Sequence, residues 1–300
     1  VEKGRMPAAV ARLESVGLEA GARFAVLALV VLPVLPQGPI ARLGGLEPQK
    51  LWGVVLIFAG LSFAGYIALR LVGPDRGYSV AGFLGGLVSS TAVTFNFARE
   101  SRREPGNAPA AKALALGVVA ACTILPLRVG LVSAALYLPV AKALAPALVL
   151  PLVAGAIAIA YAWFRRPQGD GAPRLPENPL RLGAAIQMAL LFQIVLWVLQ
   201  ALRDRLGGGG MLASAALLGL TDMDALTFSL TELAGRTVPG DGPTSALTAQ
   251  AAARGLLVGM LATAFKAAVA AAIGASAFRV RVLAALAVLG ALFAVGLFWI

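Results

Sequence analysis

Long apolar runs, separated by short polar stretches that contain glycine and proline, dominate the chain. A helix needs about 20 predominantly apolar residues to span a bilayer, and most of the runs reach that length. The first does so when the amphipathic residues before it are added. The pattern therefore predicts an all-α integral membrane protein whose hydrophobic segments are 23–35, 51–71, 80–98, 111–138, 144–164, 180–202, 211–233, 248–273 and 282–300.

Composition supports this prediction. Hydrophobic residues make up 59% of the 300 residues and charged residues 13%, whereas a typical soluble domain has about 25% charged residues. A soluble fold with this composition would expose large apolar patches, so the lipid bilayer is the expected partner. The many small residues suit membrane helices, because they let helix backbones approach closely. They also allow a homodimer.

The net charge of +11 comes from basic residues that lie mainly in the gaps between apolar runs. Basic loops of this kind orient a membrane protein and contact anionic lipid, so we do not expect nucleic-acid binding. The chain contains no histidine and a single cysteine, Cys122. An intrachain disulfide and a histidine-ligated zinc or haem are therefore excluded, and no other cofactor is expected. Any bound metal would need oxygen ligands, which favours a hard cation such as Mg²⁺.

A sequence motif occurs twice. Residues 86–95 align with 219–228, and the Gly, Leu, Ala, Thr and Phe of the two copies coincide. In the helix that follows each copy, Arg128 aligns with Lys266 when Gly117 is placed on Gly255. The alignment divides the chain into an amphipathic segment plus first membrane helix (1–48), repeat A (49–164), a proline-rich cytoplasmic linker (165–181) and repeat B (182–300).

Charge in the loops bears on topology. If all nine segments cross the membrane, the basic loop residues divide almost equally between the two sides. If 80–98 and 211–233 are instead re-entrant or broken helices, most of these residues fall on the side of the N-terminus, as expected for a cytoplasmic face. Each repeat then crosses three times, so the repeats are inverted, as in many transporters. The alternative, that both segments are ordinary spans, stays open.

The residues that could carry chemistry surround the repeated motif. Carboxylates at membrane depth are costly, and Asp222 and Asp224 are therefore candidate ion or metal ligands. The candidate site also includes Thr221, Thr227, Ser89, Ser90, Thr91 and Thr94, whose hydroxyl groups supply further hard oxygens. Arg128 and Lys266 would balance the charge or bind an anion. The alternative is that the acids and bases form buried structural pairs.

Three stretches of sequence, 60–66, 85–94 and 218–227, resemble the membrane domain of unknown function at the C-terminal end of many MgtC/SapB-family bacterial proteins. The resemblance extends from about residue 23 to the C-terminus. It implies a multi-pass protein of the bacterial inner membrane, and an MgtC-type membrane domain as partner. The family name is associated with magnesium homeostasis, an association that belongs mainly to that MgtC-type domain.

Three functions remain as hypotheses. The first is a transporter or channel for a small ion, with a cation such as Mg²⁺ as the first expectation and a site at the midplane between the repeats. The second is a regulatory membrane domain that does not transport and that binds a partner membrane protein in ion homeostasis. The third is a membrane enzyme acting on lipid, which the absence of histidine and of hydrolase motifs disfavours.

Overall fold

The computed structural model describes residues 16–40, 47–72, 77–103, 107–165, 182–235, 248–262 and 265–300. Within these ranges every regular element is a helix. The prediction of an all-helical chain is confirmed in the described residues, and seven helices are long and apolar enough to cross a membrane, as the prediction of a multi-pass membrane protein requires. Most of the predicted N-terminal amphipathic stretch (1–15) and of the predicted linker (166–181) lies outside the described residues.

Ten helices follow one another along the described chain. The first, α1, has three parts: an α-helical start (Val16–Ala25), a π-helical stretch (Val26–Val31) and a final short α-helical piece (Leu32–Val34). The others are α2 (Pro48–Val72), α3 (Gly77–Ser101), α4 (Ala108–Leu136), α5 (Leu138–Arg165), α6 (Leu182–Thr221), α7 (Met223–Gly235), α8 (Ala249–Ala262), α9 (Phe265–Ile273) and α10 (Ser276–Leu297).

The prediction that a loop separates the sixth and seventh segments is wrong. The chain stays helical through Gly207–Gly210, and α6 joins the crossing segment to the start of the next one. Glycine lowers helix propensity in water, but in a membrane the helix is the conformation that satisfies every backbone group internally. The eighth segment contains α8 and α9, which lie on either side of residues 263–264, outside the described structure.

The helix α3 folds back on itself at Ser89, whose backbone is extended (φ −164°, ψ 110°) inside an otherwise helical stretch. The rings of Tyr78 and Phe97 pack edge to face with centroids 5.4 Å apart. In a continuous helix these two residues would be separated by about 28 Å. We therefore describe α3 as a helical hairpin, hairpin A, with its tip at Ser89.

The end of α6 and the whole of α7 form a second hairpin, hairpin B, with its tip at Asp222. A Cβ atom placed on Gly255 of α8 would lie 3.8 Å from Ala215 Cβ and 2.8 Å from Leu230 Cδ1. Ala215 lies before the tip and Leu230 after it, and a continuous helix would separate them by about 22 Å. Both arms of hairpin B therefore face the same part of α8.

Glycine allows each hairpin to approach its neighbouring helix at backbone contact. A Cβ atom on Gly82 of hairpin A would overlap the carbonyl oxygen of Gly117 in α4, and one on Gly219 of hairpin B would overlap that of Gly259 in α8. Because lipid provides no hydrophobic force between helices, such close packing is a main source of helix association.

The two halves of the chain contact each other reciprocally. Hairpin A packs on α4 and also reaches α9, while α7 of hairpin B packs on α8 and also reaches α4. In the same way α4 contacts α10, and α8 contacts α5. The helix α1 lies beside α2, where the indole nitrogen of Trp52 donates a hydrogen bond of 3.0 Å to the carbonyl oxygen of Leu27.

Candidate functional site

The tips of the two hairpins line one cavity of about 200 Å³. Seven of the residues predicted from the sequence border it: Ser89, Ser90, Thr91, Arg128, Asp222, Asp224 and Lys266. The remaining lining residues are Gly86, Val88, Leu125, Gly219, Leu220 and Met223. The fold thus brings together residues from four separate stretches of sequence.

Two of the predicted hydroxyl groups lie elsewhere. Thr94 and Thr227 are fully buried, and each donates a hydrogen bond to the backbone carbonyl four residues earlier, at 2.9 Å and 2.7 Å. Both groups therefore support the second arm of a hairpin. Thr221 is the last residue of α6, and its side chain lies outside the described structure.

Asp222 caps hairpin B. Its Oδ1 accepts hydrogen bonds from the backbone N–H groups of Asp224, at 2.8 Å, and Ala225, at 3.0 Å. A carboxylate in this position satisfies amides that the first turn of α7 leaves without helical partners, and it interacts favourably with the positive end of the helix dipole. The cost of its charge at this depth is therefore partly offset by the helix that it starts.

Ser89 has the corresponding role in hairpin A. Its Oγ accepts a hydrogen bond of 3.2 Å from the N–H of Ala92, three residues further on. Ala225, the second amide bound by Asp222, is likewise three residues beyond its cap. The tip of hairpin A therefore has a neutral cap where the tip of hairpin B has an anionic one.

Arg128 ties the two tips together from α4. Its Nη2 binds Asp224 Oδ2 in a hydrogen-bonded ion pair, in which the Arg128 side chain is only 6% exposed. Its Nη1 donates to the carbonyl oxygens of Leu87, at 2.8 Å, and Val88, at 3.4 Å. Those carbonyls end the first arm of hairpin A, where helical partners are missing. One guanidinium thus satisfies both hairpins.

Lys266 borders the same cavity from α9 and is 4% exposed. Within the part of the chain that the structure describes, its ammonium group has no hydrogen-bond or ion-pair partner. A buried charge without a partner is costly. Sequence reasoning treated Arg128 and Lys266 as equals, whereas the structure pairs the first with a carboxylate and leaves the second facing the cavity.

A larger cavity of about 500 Å³ runs along hairpin A and meets the first at its tip, because Val88 and Ser89 border both. Asn96 lies along its wall. Its outer end is lined by Arg99, Glu100, Arg102 and Arg103, and the three arginines are exposed. The sequence analysis assigned the basic residues between the apolar runs, which include these arginines, to contacts with anionic lipid and did not connect them to the site.

The equivalent positions of hairpin B are buried in the described structure. Ser229 and Glu232, which align with Asn96 and Arg99, are both buried. Glu232 forms an ion pair of 2.9 Å with Lys50 at the start of α2. Sequence reasoning missed this pair, although Glu232 is an acid inside an apolar run and could have been noticed on that ground.

In chemical terms the site offers two carboxylates, one guanidinium, one ammonium group and hydroxyls at the tips of two helices. No group of three or more carboxylate, thiol or imidazole side chains that could hold a metal occurs within the described ranges. Such a set of charges can bind a small ion.

Comparison with known proteins gives one match. The family profile of a domain of unknown function, DUF4010, matches residues 55–274, which include both hairpins and every residue of the cavity. No curated protein and no solved structure matches the chain. The profile match does not link the chain to the MgtC/SapB family.

Proposed function

The chain belongs to the DUF4010 family, and from its membrane fold and the cavity between its hairpin tips we propose that it is a transporter or channel for a small ion. The observation that carries this proposal is the convergence of four charged side chains and two interrupted helices on one cavity. Interrupted helices at membrane depth occur where they are buried in protein or line a water-filled path, and they form the ion sites of many transporters.

We further propose that the two halves are inverted repeats, with both hairpins re-entrant. The equivalent contacts support this assignment. Ser89 and Asp222, which align in the repeated motif, are both the tip and the cap of a hairpin. Gly86 approaches Ala121 as Gly219 approaches Gly259, and these pairs are equivalent in the alignment. The reciprocal contacts of the hairpins with α9 and α4 fit the same two-fold relation.

The proposed topology places the N-terminus and the arginine-lined end of the larger cavity on the cytoplasmic side of a bacterial inner membrane. Arg99, Arg102 and Arg103 lie at that end, and clusters of basic residues mark the cytoplasmic side. The larger cavity would then be the cytoplasmic access route to the site.

Among the described residues an open route reaches one hairpin and not its equivalent, and this difference favours a transporter over a channel. The larger cavity leads to the tip of hairpin A, whereas the matching surface of hairpin B is buried and held by the Lys50–Glu232 ion pair. In an inverted-repeat transporter the opposite state exchanges the conformations of the two repeats. We propose that this exchange breaks the Lys50–Glu232 pair.

The expectation of a hard cation such as Mg²⁺ at Asp222 and Asp224 stays a prediction. One oxygen of Asp222 already accepts two amide hydrogen bonds, and Asp224 is paired with Arg128. A cation would use the carboxylate oxygens that remain, together with the hydroxyls of Ser90 and Thr91.

The second candidate function is a regulatory membrane domain that binds a partner membrane protein. One observation favours it, since the Arg128–Asp224 ion pair is the structural pairing that this hypothesis expects. It provides no reason for a charged cavity connected to the surface, and we therefore place it second.

Ion flux into proteoliposomes tests the proposal. Wild type should give saturable uptake from a panel of cation and anion gradients, and Asp222→Asn/Asp224→Asn should lose it, because the tip of hairpin B and its tie to Arg128 are both altered. Glu47→Gln, an acid change just before α2 and away from the cavity, should keep wild-type flux. Equal flux from wild type and the double variant would overturn the site. Absence of flux for every ion tested, with a stably co-purifying membrane partner, would favour the regulatory hypothesis.

A further inference from the structure

The two halves of the site differ in where negative charge is placed. In the repeat alignment, Asp222 corresponds to Ser89 and Asp224 to Thr91, while Arg128 corresponds to Lys266. Arg128 lies on α4, which contacts hairpin B with its two carboxylates, whereas Lys266 lies on α9, which contacts hairpin A with its two hydroxyls. The positions equivalent to the Arg128–Asp224 ion pair are occupied by Lys266 and Thr91, which both border the cavity.

We infer that the cavity binds a small singly charged anion beside Lys266. The anion would lie near the tip of hairpin A, at the place that the carboxylates of Asp222 and Asp224 occupy in hairpin B. This inference rests on the proposed function and names the class of ion. The buried ammonium group of Lys266 has no partner among the described residues and borders the cavity. A buried ammonium group is stabilised when an anion accepts its hydrogen bonds.

The tip of hairpin A completes the anion site. The second arm of α3 begins directly after Ser89, and the N-terminus of a helix attracts anions through its free amides and its dipole. In hairpin B the carboxylate of Asp222 already occupies that position. In hairpin A the neutral Ser89 leaves the dipole uncompensated, and Ser90 and Thr91 border the cavity with hydroxyl groups that can donate hydrogen bonds.

Charge and size limit the anion. The two carboxylates and two bases at the cavity have formal charges that sum to zero. Asp224 is paired with Arg128, and Asp222 is hydrogen-bonded to the first turn of α7. Among the described residues Lys266 is therefore the charged group there without a contacting partner, and one negative charge is enough to pair with it. A water molecule takes about 30 Å³ in the liquid, and a cavity of about 200 Å³ therefore holds an anion of a few atoms with some of its water. Halide, nitrate and short carboxylates such as formate or acetate fit this description.

The access route has the matching charge. The three exposed arginines at the outer end of the larger cavity, Arg99, Arg102 and Arg103, outnumber the single Glu100. A positive entrance with low-dielectric walls concentrates anions and repels cations. The route and the unpaired lysine thus favour the same sign of ion.

The test is thermal unfolding of the detergent-purified protein at increasing concentrations of sodium chloride, nitrate, formate and acetate, with ionic strength held constant by sodium gluconate. Wild type should show a saturable rise in its unfolding midpoint with at least one small anion. Lys266→Met should weaken the apparent affinity for that anion about ten- to hundredfold, the usual loss for a hydrogen bond to a charged group. Lys266→Arg should retain most of it.

Thr91→Asp is the sharper variant. It supplies in hairpin A the carboxylate that Asp224 supplies in hairpin B, so Lys266 gains an internal partner and the response to anions should disappear while the protein remains folded. Thr91→Asn is its matched neutral control and should keep the response. Lys112 lies on α4 beside Tyr161 of α5 and outside the cavity, so Lys112→Met should also behave as wild type.

Two results would overturn the inference. One is a wild type whose midpoint rises with magnesium gluconate and with no small anion, which would leave an ion transporter with a cation site. The other is a Lys266→Met or Thr91→Asp protein with the wild-type response to anions. Saturable anion binding without flux in proteoliposomes would have the opposite meaning, because the anion site would stand and the transport function would fail.

Discussion

Hairpin A and hairpin B have the same architecture and different chemistry. Both turn at a residue that caps the arm that follows, and both press a glycine against the backbone of a neighbouring helix. Hairpin B contains two carboxylates at its tip, and its Glu232 is buried in an ion pair with Lys50. Hairpin A contains hydroxyls instead and borders an open cavity with a basic entrance.

The comparison separates residues that hold the hairpins in place from residues that can bind a ligand. Features that the hairpins share, the glycine contacts and the caps, are those needed to hold an interrupted helix inside a membrane, where unpaired backbone groups are costly. The features that differ are the carboxylates, which only hairpin B has, and Lys266, which has no contacting partner among the described residues. These differences leave the side of the cavity next to hairpin A able to bind a ligand. Substitutions at equivalent positions should therefore have equal effects in the first class and unequal effects in the second.

The largest inequality should be between the two basic residues. Arg128→Met should reduce stability by about 3–5 kcal/mol, because it leaves Asp224 without its partner and the end of the first arm of hairpin A without donors. Lys266→Met should leave stability unchanged or raise it, since it removes a buried charge that has no partner. Thermal unfolding in detergent measures both. Equal losses would mean that Lys266 is a structural group like Arg128.

A smaller and equal effect should follow from filling the glycine contacts. Gly86→Ala and Gly219→Ala each place a Cβ against the backbone of α4 or α8, and overpacking of this kind costs about 1–3 kcal/mol. Gly290→Ala is the control, because a Cβ there meets nothing within 4 Å. A neutral Gly219→Ala beside a destabilising Gly86→Ala would show that the two hairpins are not packed equivalently.

The caps should give the smallest effects. Asp222→Ala removes an acceptor of two amides at a helix N-terminus and should cost about 1–2 kcal/mol, whereas Ser89→Ala removes an acceptor of one and should cost about 0.5–1 kcal/mol. Amide hydrogen exchange at Ala92 and Ala225 should report the same order. Faster exchange at Ala92 than at Ala225 when each cap is removed would reverse it.

Much of the fold was accessible from the sequence because bilayer thickness sets helix length and polarity sets helix ends. The positions of the hairpin tips were accessible because 86–95 and 219–228 share a motif. The sequence does not decide whether the chain folds back at these tips, since neither Ser89 nor Asp222 is a glycine or proline that marks a turn. The Gly207–Gly210 stretch, in contrast, suggests a turn to sequence reasoning and is helical in the structure.

The composition of the site was largely predicted, and its pairing was not. Seven of the residues selected from the sequence border the cavity, because few polar or charged residues lie within the apolar segments. Which base pairs with which acid depends on how α4 and α9 lie against the tips, and Arg128 and Lys266 are equivalent in the alignment. The same limitation applies to Glu232, whose partner Lys50 is distant in sequence and lies at the start of α2.

The most direct test of the central claim, that two inverted hairpins give access from opposite sides, is sided cysteine labelling of Asn96→Cys and Ser229→Cys. These positions are equivalent in the repeats, one exposed and the other buried, and Cys122→Ala provides the background. In membrane vesicles of known orientation, a polar maleimide should modify Asn96→Cys from the cytoplasmic side only. Ser229→Cys should be protected at rest and react only from the opposite side, during ion turnover. Reaction of both cysteines from the same side would contradict the account.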